Sequence, residues 1–248
     1  MAEHFHWRVE ADSKVLDASG RTLPREAPME TAGGMGQDAS DPAKPTLIPA
    51  FNPGEPGAIE TLRNATRSRH AKLESCPAMV RLFEPDYSVS EYRLHLGRLL
   101  GLFDPLEGVA ISAAKASGPV CFLRRSQDLR EDLQHMDVTA GECGKIERCQ
   151  HLPPITTAGL RGYTYVMLGS MLGGKIIAKR LRAVLGPDVS LQFYGNEKTP
   201  YETLWASFCR DLEENGRNDL AIICETAVAV FDLYDRWLQE PFSQIGIR

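Results

Sequence analysis

The sequence predicts an all-α fold, a bundle of seven or eight helices in a single domain with a flexible N-terminal extension. Three observations carry this reading. From Ala58 onward apolar residues recur with the helical period of about 3.6, Gly, Pro and Asn stops separate the periodic segments, and no segment alternates clearly enough to be a strand. Residues 1–55 differ: they are rich in Gly, Pro, Ala, Asp and Glu around the run GGMGQDASDPAKP, and cannot bury enough apolar surface to offset their ordering entropy. The expected organisation is an extension over 1–55, a helical domain over 56–240 and a short tail over 241–248.

The first helix should span 58–75 and stop before Pro77. The next opens at Ser88-Val-Ser-Glu91, whose Ser and Glu have capping-box spacing. It then meets Pro105, which should bend or divide it, and ends near Gly118-Pro119. A third helix covers 122–136, a loop follows over 137–157, and a long helix over 158–185 meets Gly186-Pro187. Thr199-Pro-Tyr-Glu202 supplies an N-cap, a first-turn proline and a capping-box glutamate for a helix over 200–215. The last helix runs over 218–239 and halts at Pro241.

Composition excludes several classes of function. A net charge of −5 with no lysine and arginine cluster among aromatics argues against a nucleic-acid partner. No run approaches the roughly eighteen apolar residues of a membrane span, and the start MAEHFHWRVEADSK has neither a basic nor an apolar leader, so a cytoplasmic protein is expected. The six cysteines, at 76, 121, 143, 149, 209 and 224, lack the spacing of a disulfide framework and read as reduced thiols. Cys143, Cys149 and His151 match no zinc pattern, and His4 and His6 read as inert residues of the extension.

The helix over 158–185 is unusual in containing Gly162, Gly169, Gly173 and Gly174, each costing about 1 kcal/mol relative to alanine. On a helical wheel the first three fall within about 40° of one another, a stripe without side chains. Such a stripe has two ordinary explanations: a second helix packs unusually close, or a flat ligand lies against it. The first helix places Thr66, His70 and Glu74 one turn apart on one face, with Arg63 two turns before His70. Glu74 can hold one imidazole nitrogen and leave the other for a metal, although an ordinary surface His-Glu pair has the same spacing.

Read together, these two helices resemble those of haem oxygenase, especially its bacterial branch found beside bacteriophytochromes, over about residues 58–240. Ala65, Thr66, His70 and Glu74 match the family's A-T-x-x-x-H-x-x-x-E, and Tyr165, Val166, Gly169, Ser170, Leu172, Gly173 and Gly174 match its Y-V-x-x-G-S-x-L-G-G. Tyr92, Leu96, Phe103, Leu106 and Glu107, then Arg125 to Leu133, then Phe193-Tyr194 and Trp205 to Phe208, follow in the family's order. Two positions depart from it. Leu168 stands where many relatives of this branch have glutamate, and Ser170 where the animal-type enzymes have aspartate, so a carboxylate-held water network does not carry over.

The resemblance implies a haem-oxygenase-like bundle that opens haem to biliverdin, CO and ferrous iron, using O2 and electrons from an external reductant. It makes His70 the axial ligand of the haem iron and places Glu74, Arg63, Thr66, Tyr165, Val166, Gly169, Gly173 and Gly174 around the haem. Gly169, Ser170 and Gly173 would be the residues acting at the reacting centre. Arg63 is the leading candidate for a propionate partner, with Lys198, Tyr201 and Arg180 as weaker ones. A ferredoxin or flavin reductase would supply electrons, since no flavin or dinucleotide fingerprint is present, and a phytochrome is a candidate acceptor of the bilin. Two other readings stay open: a haem carrier or sensor that does not degrade its ligand, and a di-iron oxygenase recruiting Glu107, His135 and Glu225.

Overall fold

The computed structural model describes residues 56–117, 124–195 and 200–240. Among them are nine α-helices, a 3-10 turn over Arg217–Asp219 and no strand. The helices are α1 (Ala58–Glu74), α2 (Pro77–Arg81), α3 (Val89–Ser117), α4 (Ser126–His135), α5 (Ala140–Lys145), α6 (Leu160–Leu185), α7 (Gln192–Gly195), α8 (Tyr201–Asn215) and α9 (Leu220–Gln239). The expected long helices are all present. The expected extension and C-terminal tail, the first residues of the helix expected over 122–136, Lys198 and the Thr199 cap lie outside the described residues.

Three short helices account for the difference from the expected bundle. One of them, α5, falls in the expected loop and starts with a full capping box, Thr139 Oγ1 accepting from the Glu142 amide and Glu142 accepting from the Thr139 amide. The capping box expected at Ser88 and Glu91 forms in the same way. At the end of α6, Gly186 takes φ +95°, which favours glycine.

Pro105 does not divide α3. A proline removes the hydrogen bond to the carbonyl four residues earlier, here that of Gly101, and the Cys149 amide donates to that carbonyl instead, at 2.9 Å. Gly101 permits the approach, because a β-carbon there would overlap the Glu147 carbonyl oxygen and lie 2.9 Å from the Trp237 ring.

Two buried carboxylates tie successive elements together by capping helices other than their own. Glu107 of α3 accepts from the Arg125 amide, the Ser126 amide and the Ser126 hydroxyl at the start of α4. Asp132 of α4 accepts from Ser190 Oγ and from the Gln192 and Phe193 amides at the start of α7. Burial pushes both carboxyls above their ordinary values. Helix α9, apolar around most of its circumference, forms the floor on which α1, α6 and α3 all pack.

Candidate functional site: the cleft between α1 and α6

Helices α1 and α6 each pack extensively on α8 and α9. They meet directly where Tyr165 Oη lies 3.3 Å from Thr66 Oγ1, which also donates to the Leu62 carbonyl at 2.8 Å. Their contacts with α8 fix their relative direction. Ile59 meets Glu213 while Arg63 meets Trp205, and Arg161 meets Asp211 while Lys175 meets Glu202. Both helices are thus antiparallel to α8 and parallel to one another, so His70 and Gly169 each lie one turn beyond the Thr66–Tyr165 contact, on its same side.

His70 is half-buried, with its side chain 43% exposed. Its Nδ1 lies 3.5 Å from Glu74 Oε2, long for a hydrogen bond and closed by a shift of a few tenths of an ångström. Phe231 of α9 meets the imidazole edge to face, with ring centroids 5.6 Å apart. Arg63 lies over the Trp205 ring, its guanidinium carbon 5.8 Å from the centroid. Tyr201, Trp205, Phe208 and Tyr165 form a continuous aromatic cluster beside it.

The glycine stripe divides into two parts. A β-carbon at Gly162 would overlap the Ile223 carbonyl oxygen and lie 2.9 Å from the Ala227 nitrogen, so this glycine seats α6 against α9. At Gly169 and Gly173 a β-carbon would meet nothing within 4 Å among the described residues. Ser170, half-buried beside them, donates its hydroxyl proton to the Met167 carbonyl at 2.7 Å. Val166, Leu168 and Gly174 are buried.

Of the weaker rim candidates, the two described, Arg180 and Tyr201, have partners of their own. Arg180 donates through Nε and Nη2 to the Phe83 carbonyl, and Tyr201 is buried against Trp205 with Lys175 Nζ over its ring. The three di-iron candidates do not converge: Glu107 caps α4, His135 is exposed with Nδ1 on the Glu131 carbonyl, and Glu225 is exposed. Among the described residues no group of three His, Cys, Asp or Glu side chains is placed to hold a metal ion. Burial pushes the Cys143 and Cys149 thiols up, and His151 is exposed.

Two features of this region were not anticipated from sequence. Phe231 sits in an apolar helix where nothing in the local pattern sets it apart, and Lys72, next but one to His70, pairs with the buried Asp235 at 2.7 Å. Among the described residues the one buried histidine is His95, which shares a 2.6 Å hydrogen bond with Tyr194, and burial holds its pKa down to about 4.

The open stretch at Gly169 and Gly173 is the cradle a flat macrocycle needs, and His70 lies on the same side of the Thr66–Tyr165 contact with one ring nitrogen directed to a carboxylate. These residues therefore fit haem. No described helix is long and apolar enough to cross a membrane. No curated protein matches the chain. The family model described as heme oxygenase matches residues 57–240, the span that builds α1 through α9 and the cleft between α1 and α6, and on that match the chain belongs to the haem oxygenase family.

Proposed function

We propose that the chain is a haem oxygenase that converts haem, with O2 and electrons from an external donor, to biliverdin, CO and ferrous iron. The observation that carries this reading is the open space at Gly169 and Gly173, on a stripe whose other glycine is closed against α9. Haem bound as substrate activates its own O2, and the protein's part is to hold, orient and enclose it.

In this reading Nε2 of His70 would hold the iron, while Glu74 would accept from Nδ1–H and fix the tautomer. A neutral imidazole gives no thiolate push toward O–O cleavage, which suits ring opening. The bare backbone at Gly169 and Gly173 would let α6 lie directly against the macrocycle. The proton of Ser170 is already given to Met167, so toward the ligand this hydroxyl offers only lone pairs, an arrangement for accepting from one water. Arg63 needs only to swing from the Trp205 face to pair with a propionate. A ferredoxin or a flavin reductase is the proposed donor, and a phytochrome the proposed acceptor of the bilin.

A carrier or sensor that leaves haem intact is the second reading. It is favoured by the absence of any Asp or Glu from α6, with Leu168 buried and Ser170 committed to its own helix. Haem titration followed by reduction under O2 separates the two. Loss of the Soret band with rise of biliverdin absorption supports the oxygenase. A stable ferrous haem complex under ascorbate or ferredoxin supports the carrier.

A further inference from the structure

His70 is held from two sides by two different helices. Glu74 belongs to α1 itself and moves with it, so it sets the tautomer but cannot register the ring against the rest of the bundle. Phe231 comes from α9, is 5% exposed, and meets the imidazole at an interplanar angle of 81°. The same stretch of α9 ties down α1 on both sides of the histidine: Asp232 lies 3.5 Å from Arg69 Nε, and Asp235 lies 2.7 Å from Lys72 Nζ. Asp235 is itself fixed, its side chain 5% exposed and its carboxylate accepting from Gln239. Two turns earlier, the backbone of α9 at Ile223 and Ala227 receives Gly162 of α6. One helix therefore registers both walls of the cleft.

We propose that Phe231 is a positioning residue that fixes the plane of the His70 imidazole relative to α6. This rests on the haem reading above. An axial imidazole turns readily about its bond to the metal unless a neighbour blocks it, and an edge-to-face aromatic is such a neighbour. The plane it selects determines which iron orbitals the ligand overlaps. Phe231 so acts on the iron through His70 without touching it.

The test uses full-length protein carrying Phe231→Leu, with Phe231→Met as a second apolar replacement and Phe231→Tyr as the aromatic control, each loaded with haem. Ferric electron paramagnetic resonance and the ferrous iron–histidine stretch by resonance Raman report ring plane and bond strain directly. Loss of packing alone does not move them while His70 stays bound. The leucine and methionine variants should keep a histidine-ligated haem, with shifted and broadened g values, an altered stretch, and haem dissociation about threefold to tenfold faster, the size of one lost ring pair. Tyrosine should restore a single wild-type set. Wild-type spectra in both apolar variants would overturn the proposal, as would failure of both to fold, which would make Phe231 a core residue only. If the wild-type complex itself lacks a histidine signature, the haem reading falls. An intact signature that Phe231 does not influence sinks the positioning role alone.

Discussion

Along α6, Gly162 lies so close to α9 that a β-carbon would overlap a backbone carbonyl, whereas Gly169 and Gly173, on the same stripe, face space open to 4 Å. The first glycine is explained by protein and the other two are not. In the folded apo-protein, the helix penalty of about 1 kcal/mol is offset at Gly162 by close packing and at the other two by no described residue within 4 Å. Half-buried glycines beside space that no described residue fills leave room there for a flat ligand. The region around α3, α4 and α7 is the counterpart: there the polar groups that could suggest a site, Glu107 and Asp132, are consumed in capping helices.

The contrast can be broken most sharply at the opposing wall. His70→Ala removes a half-exposed side chain, so the fold should persist while the histidine-ligated haem spectrum and turnover are lost, and added imidazole should restore the spectrum. Undiminished turnover of the purified variant would move the ligand elsewhere.

At the closed end, Gly162→Ala should overpack the α6–α9 contact at a cost of about 1–3 kcal/mol, lowering the apo melting temperature by roughly 3–10 °C. An apo-protein as stable as wild type would show that α6 can move aside there, and the distinction between the two ends would weaken.

A pH effect sharpens the contrast between the cleft and the buried interior. His95, fully enclosed beside Tyr194, has its pKa lowered from 6.5 to about 4, so between those values the unfolded chain binds a proton that the folded chain does not. Stability must then rise with pH across this window and fall on acidification, by up to about 3 kcal/mol from this group. Urea unfolding at several pH values should show a shallower dependence for His95→Gln than for wild type. Equal slopes would mean that His95 titrates normally.

The sequence made the long helices readable because their periodicity and stops are local, and the His70–Glu74 pair readable because i, i+4 spacing is local too. What it could not show depends on partners from distant segments. The stripe of glycines was visible, but its division was not, since only α9 distinguishes Gly162 from Gly169. Pro105 reads as a bend or a break because the Cys149 amide that relieves it comes from another segment. The short α5 carried its signal openly in Thr139 and Glu142, but too few apolar residues follow to mark a helix by period. Phe231 reads as any other core residue until α1 is folded against it.

Gly173→Leu separates a haem-filled space from a protein-filled one, with apo-protein melting and haem turnover measured on the same preparation. The side chain would enter the open space beside Gly173, and leucine is the better helix former by most of about 1 kcal/mol. The apo melting temperature should therefore hold or rise while haem binding weakens and turnover collapses. A variant whose apo-protein melts several degrees lower yet binds and degrades haem normally would contradict the account, because the space beside Gly173 would then belong to the protein and not to its substrate.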